Sequence, residues 1–338
     1  MTPEGLPRSH GEEKGQQSIT GGALRVNAQM EFQVGLAGIP FSLEHTLESG
    51  QVFRWANRGE WRYGVLRGGV LKARQEGETL RCESSADYLD SAFVRGYFNL
   101  DQDLEGVYST MARDETIARA VQKFYGLRLI RQDPWECLGS FVLATNSNIP
   151  SITRMVNNVC SAFGTAFEFE GTPYSSFPPP ERVAEASVSE LEECGLGYRA
   201  PYLKKVAEAI RSNRVDFSEL SILDYAPARE LMLSRLFGEK VLLGVGPKVA
   251  DCVLLFSCDK GNAFPVDVWI SRALARFYPD LLDQRLRRKL AGKKKVSITR
   301  GEYDRTTAAA RDYFGRYAGY AQQYLYMLAR AEDFPATQ

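Results

Sequence analysis
The chain has 338 residues, 44% of them apolar and 25% charged, and its 42 Lys and Arg balance 42 Asp and Glu. That length and composition allow one large domain or two to three smaller ones around a sizeable core. A formal net charge of zero excludes polyanion attraction by global charge, so a nucleic-acid partner has to meet a local basic face.

Residues 1–28 are rich in Gly, Ser, Gln and charge and read as a disordered tail. Residues 29–130 form an expected N-terminal antiparallel β domain. Segments 52–55, 61–66 and 70–73 alternate or run apolar, with Asn57-Arg58-Gly59, Gly68-Gly69 and Glu76-Gly77 as turns. One or two helices are expected over 86–98. From residue 104 the chain reads as helical, with helices over 116–125, 135–145 and 152–163, and a Pro-rich loop over 171–180. Ser187-Val188-Ser189-Glu190 is a capping box, and Leu203, Val206, Ala207 and Ile210 mark an amphipathic helix. Helices over 231–237 and 311–330 follow, and residues 331–338 form a second tail. The fold class is α+β, an antiparallel sheet domain plus helical domains over 131–330.

Residues 285–300 hold eight Lys or Arg and no acid. The cluster within residues 285–295 reads as a solvated face, a phosphate contact or a nuclear-signal mimic. No stretch is long and apolar enough to span a bilayer, and no secretory leader is visible. The six cysteines (Cys82, Cys137, Cys160, Cys194, Cys252 and Cys258) lack metal-ligand spacing. The expectation is a reduced intracellular protein, in nucleoid or cytoplasm if prokaryotic and in the nucleus if eukaryotic, with no metal site.

The segment 242–267 is the most specific part of the sequence. Gly244-Val245-Gly246 is a tight turn with little side chain, and Pro247 suits the first position of a following helix. Free N–H groups at such a helix start can hold a phosphate. Lys248 sits in the first turn, where the helix dipole disfavours a cation. Burial adds to that effect and favours the neutral amine, a nucleophile toward carbon centres such as sugar C1′. Asp267 is its natural partner, a carboxylate able to stabilise a positive sugar as a glycosidic bond breaks. Lysine, carboxylate and phosphate-gripping turn together suggest base excision from DNA.

Gly244-Val245-Gly246-Pro247-Lys248-Val249-Ala250-Asp251-Cys252 followed by Phe264-Pro265-Val266-Asp267 resembles the helix–hairpin–helix DNA glycosylases, and within them the eukaryotic-type 8-oxoguanine DNA glycosylases. The motifs at 49–55, 131–134, 145–149, 195–200 and 317–322 resemble the same family in the same order, so the likeness covers about residues 30–330. It implies a bifunctional glycosylase and lyase acting on duplex DNA that contains 8-oxoguanine, with the target nucleotide flipped into a pocket. Lys248 would be the nucleophile and imine-forming group and Asp267 the essential carboxylate. Cys252 and Tyr326 would sandwich the base, Gln322 would bond its Watson–Crick edge, and the Gly50 carbonyl would accept from N7–H, which normal guanine lacks. Asn146, Tyr198 and Arg199 would fill the gap and read the estranged cytosine, while Gly244, Val245 and Gly246 would grip the backbone. A monomer is expected, and no cofactor, because the lysine supplies the covalent chemistry.

Two positions depart from the family pattern. Ser151 stands where a second cytosine-reading arginine is usual, which implies relaxed opposite-base selectivity, and Trp269 stands in place of a backbone-contacting histidine. Plainer readings exist for single residues. Cys252 alone reads as a packed thiol, Gly50 as a hairpin glycine, Asp267 as a helix cap, Tyr198-Arg199 as a helix start, and Gln322 with Tyr326 as one helix face. His10 and His45 have no partners at catalytic spacing. The rival functions are a glycosylase of the same superfamily for another base, and a non-catalytic DNA-binding module, which leaves Lys248 and Asp267 without a purpose.

Overall fold
The computed structural model describes residues 24–25, 30–236, 239–290 and 298–332. Its largest sheet has five antiparallel strands in the spatial order Met30–Gly35, Thr79–Ser84, Gly69–Glu76, Trp61–Leu66 and Trp55–Arg58. The turn glycines Gly59, Gly68 and Gly77 all have positive φ, which is why the three hairpins fall where the sequence placed them. Leu71, Leu80 and Val34 point to one face and meet Val94 and Phe98 of the segment that follows the sheet. On the other face Val65 and Val70 pack against Phe167 and Phe169.

Most of the remaining chain is helical and shares a second, larger core. Within it the Pro134–Leu143 helix packs on the Pro247–Ser257 helix, with Phe141 and Phe256 stacked at 5.6 Å. The Ala318–Ala331 helix comes close enough to the turn before Asp267 for the Gly319 N–H to donate to the Gly261 carbonyl at 2.8 Å. A Cβ on Gly319 would lie 2.9 Å from Gly261 O and 3.0 Å from Ala263 O, so only glycine allows this approach. The fold is α+β, as the sequence implied.

Four local expectations need correction. Helix Tyr225–Met232 ends before the expected 231–237 helix, and the chain turns into a short ladder of Arg235–Leu236 with Glu239–Lys240. A short apolar run does not by itself distinguish helix from strand. The Pro-rich 171–180 loop contains an edge strand, Thr172–Ser175, paired with Ala166–Phe169, and an edge position tolerates Pro173. The final helix is two helices, Arg300–Phe314 and Ala318–Ala331, broken at Gly315 with φ +70°. Of the expected strand at 52–55, only Trp55 is in a strand, because 50–54 is an irregular strap. The tail expectations fall on residues outside those described, save Leu24–Arg25, which pair in parallel with Phe167–Glu168, and Ala331 and Glu332, which end the final helix. Residues 291–297 of the basic cluster are likewise outside. Of its described members, Arg287 pairs with Asp280 and Lys289 with Glu302.

The sheet domain is bolted to the helices through Arg128, which is 1% exposed. Its guanidinium donates to the carbonyls of Pro40, Asn99 and Gln102. Each orphaned buried acceptor costs about 1–3 kcal/mol. Arg128→Met is therefore expected to lower stability by roughly 2–5 kcal/mol, read as a lower urea midpoint. An unchanged midpoint would show that these carbonyls find other donors.

Candidate active site
One cleft of about 780 Å³ separates the strap from the helical body. Lys248, Asp267, Gly50, Cys252, Gln322 and Tyr326 all line it, although nearly 200 residues separate Gly50 from Lys248 in the sequence. Asn146, Gly244 and Gly246 also line it, whereas Tyr198, Arg199 and Val245 do not. Among the described residues no group of His, Cys, Asp and Glu is placed to hold a metal.

Lys248 enters the cleft from the first turn of the Pro247–Ser257 helix and is half-buried. Gly246 is the N-cap and supplies no side chain, and Pro247 has no N–H, so the start of this helix is open. The helix ladder begins with the Ala250 N–H bonded to Gly246 O. Gly244 adopts φ +83°, and a Cβ there would sit 2.8 Å from Tyr202, which explains the first glycine. Val245 stands between the two glycines and is held by the protein itself. Its side chain is fully buried and its N–H donates to Leu242 O at 3.2 Å, so it anchors the turn. The N–H groups of Gly244 and Gly246 have no partner among the described residues and can meet an anion.

Asp267 caps the Val268–Phe277 helix, accepting from Ile270 N–H at 2.8 Å through Oδ1. The capping role and a place in the cleft thus coexist, because the other carboxylate oxygen is not used by the cap. Its position is fixed from behind by a residue the sequence reading did not use. Asp251, one turn after Lys248, is fully buried and accepts from Tyr225 Oη (2.7 Å), Arg229 Nε (2.9 Å) and Tyr303 Oη (2.7 Å). Tyr303 Oη in turn accepts from Val266 N–H at 3.2 Å, immediately before Asp267. A charge inside the apolar run 249–258 was the available signal for this network.

One part of the cleft lies between two helices and the strap. Cys252 is 3% exposed, and burial pushes its thiol up to about 12, with Lys248 lowering and Asp267 raising it. The thiol is therefore neutral and offers an uncharged wall. Tyr326, raised to about 12 mainly by burial, is neutral too. Gly50 has φ +75°, and a Cβ on it would lie 2.9 Å from Tyr326 Oη. Its carbonyl makes no hydrogen bond among the described residues. The neighbouring Gln51 holds that strap in place, a role the sequence did not reveal. Its Nε2 donates to Arg128 O (2.8 Å) and Ser49 Oγ (2.8 Å), and its Oε1 accepts from Ile130 N–H (2.8 Å). Gln322 is 4% exposed, with Oε1 accepting from Gln323 Nε2 at 2.9 Å.

At the rim, Asn146, Tyr198 and Arg199 form one cluster. Asn146 adopts φ +51°, which Asn tolerates better than most residues. Tyr198 Oη (3.0 Å) and Arg199 Nε (2.9 Å) both donate to Thr145 O, and Arg199 lies 4.5 Å from the Tyr198 ring. Tyr198 is 49% exposed, unusual for so large a ring.

A family profile described as "8-oxoguanine DNA glycosylase, N-terminal domain" matches residues 34–138, and one described as "HhH-GPD superfamily base excision DNA repair protein" matches residues 140–292. A probable N-glycosylase/DNA lyase of Methanothermobacter thermautotrophicus is 32% identical over 86% of this chain and 94% of that protein. The N-glycosylase/DNA lyase of Saccharomyces cerevisiae is 30% identical over 84% of this chain and 82% of its own length. The chain belongs to the 8-oxoguanine DNA glycosylase family. Among solved structures, MBOgg1 in complex with a low-affinity DNA ligand superposes with a TM-score of 0.78 at 30% identity, covering 90% of this chain and 96% of that one. The Clostridium acetobutylicum 8-oxoguanine glycosylase/lyase, bound to duplex DNA with cytosine opposite 8-oxoguanine, gives 0.75 at 28% identity over 90% and 99%.

Within this family member, Ser151 sits in the first turn of the Ile149–Phe163 helix, with its N–H bonded to Asn148 Oδ1 at 2.9 Å. It does not line the cleft. Trp269 does, half-buried against Ala273, Ala329 and Phe277. Tyr303→Phe leaves Val266 N–H without its acceptor and Asp251 one donor short. The expected cost is roughly 1–3 kcal/mol of folding stability, measurable by urea unfolding. An unaltered midpoint would show that the network is not needed to hold the turn before Asp267.

Proposed function
We propose that Lys248 and Asp267 carry out the excision of 8-oxoguanine from duplex DNA, followed by strand cleavage at the resulting abasic sugar. The observation that carries this reading is the meeting of a lysine at an open helix start, a carboxylate and an unbonded Gly50 carbonyl in one cleft. DNA backbone held by the N–H groups of Gly244 and Gly246 brings the duplex to the cleft mouth. The damaged nucleotide leaves the stack and enters, because its sugar is out of reach inside the helix.

The Lys248 amine attacks C1′ while the glycosidic bond breaks and its electron pair departs with the base. Positive charge on the sugar is stabilised by the Asp267 carboxylate, and the proton lost by the attacking amine neutralises the leaving base. The C1′ amine then opens the sugar to an imine. Loss of a C2′ proton expels the 3′ phosphate, and hydrolysis of the imine restores the lysine.

Selection falls to other groups. Gly50 O accepts from N7–H of the oxidised base, and normal guanine presents a lone pair there instead. Cys252 and Tyr326 hold the base faces, and Gln322 reads the Watson–Crick edge through an amide that both donates and accepts. Asn146, Tyr198 and Arg199, already gathered at the rim, fill the vacated stack and contact the estranged base. No described helix is long and apolar enough to cross a membrane.

The test is a panel of duplexes carrying 8-oxoguanine, guanine or another lesion. Base release and strand cleavage are expected with 8-oxoguanine and not with guanine; cleavage of another lesion alone would transfer the activity to the rival glycosylase reading. A bidentate base contact contributes about 1–3 kcal/mol of discrimination, and Ser151 cannot make one. Excision rates opposite C and opposite A are therefore expected to agree within about fivefold. Strict dependence on C would sink the relaxed-selectivity proposal.

A further inference from the structure
Gln323, the residue after Gln322, also lines the cleft and is 3% exposed. Its Nε2 donates to Gln322 Oε1 at 2.9 Å, while its own Oε1 is buried without a hydrogen-bond partner. Buried amides ordinarily satisfy both ends, and Gln51, equally buried, does so. That unmet oxygen is itself closed off from solvent, so the Gln323 amide has to turn toward the cleft to meet a ligand donor.

Joined by that bond, the two amides offer three groups to a ligand. Gln322 Nε2 has no partner among the described residues and is a donor. Gln322 Oε1 uses one lone pair on Gln323 and keeps another. Gln323 Oε1 is a second acceptor. Donor, acceptor, acceptor is the order that cytosine presents to guanine. The Watson–Crick edge of a guanine-type base offers the complement, with O6 as acceptor and N1–H and the 2-amino group as donors. An adenine-type edge has a donor where this pair also donates.

We propose that Gln323 is a second base-reading amide, which orients Gln322 and accepts a hydrogen bond from the 2-amino group of the flipped base. The proposal rests on the assignment of Gln322 to the Watson–Crick edge. It makes the 2-amino group part of what the enzyme recognises, in addition to N7–H.

Single-turnover excision of 8-oxoguanine and of 8-oxohypoxanthine, which lacks only the 2-amino group, separates the possibilities when both stand opposite cytosine. A site built to bond a substrate N–H rejects the analogue without it, and wild type is expected to favour 8-oxoguanine by about tenfold or more. Gln323→Met keeps the volume and removes the acceptor. It should slow 8-oxoguanine selectively and bring the two rates within about threefold of each other. A folding or lysine defect lowers both rates together, so the ratio within each variant is the readout. A full wild-type preference in Gln323→Met would overturn the proposal. Wild type that excises neither base would instead overturn the proposed function itself.

Discussion

A buried carboxylate holds Lys248 and Asp267 in register. Asp251 lies on the helix that carries Lys248, and three donors from two other helices close around it. One of them, Tyr303, also accepts the N–H of Val266 and so fixes the turn that delivers Asp267. A buried charge costs several kcal/mol unless it is paired and hydrogen-bonded, and here Arg229 and two hydroxyls meet it. The arrangement makes the spacing between lysine and carboxylate a property of the core, so neither group depends on a mobile surface loop for its place.

The recognition side of the cleft is built by a separate set of constraints. Gln51, fully buried, clamps the strap behind Gly50 to the backbone at 128–130. Arg128 ties that same backbone to the sheet domain. Gly319 lets the helix bearing Gln322 and Tyr326 approach the turn at 261–263. The residues that line the cleft thus come from distant parts of the chain, Gly50 from the strap and the others from the helical body. In the proposed reading Lys248 and Asp267 carry the chemistry, while Gly50, Gln322 and Tyr326 decide what enters.

The sequence made some of this legible and hid the rest for physical reasons. Glycine turns with positive φ and the Ser187 capping box are local, and both lie where the residues indicated. The helix start at Pro247 and the cap at Asp267 are local too. The break at Gly315 and the ladder after Met232 depend on tertiary packing, which periodicity does not encode. Val245, between two glycines, has its side chain in the core, a packing role that the turn motif alone does not reveal. Gln51, Tyr303 and Gln323 act through partners distant in sequence or through unmet hydrogen bonds. Asp251 alone carried a sign, as a charge within an apolar helix.

Trapping with sodium borohydride tests the central chemistry most directly. The reagent reduces an imine between Lys248 and C1′ to a stable amine, which remains on the protein after denaturation. Wild type with an 8-oxoguanine duplex should give a covalent adduct, peptide mapping should place the sugar on Lys248, and Lys248→Gln should give none. Absence of an adduct with wild type, or an undiminished adduct with Lys248→Gln, would contradict the assignment of the lysine at the helix start as the nucleophile.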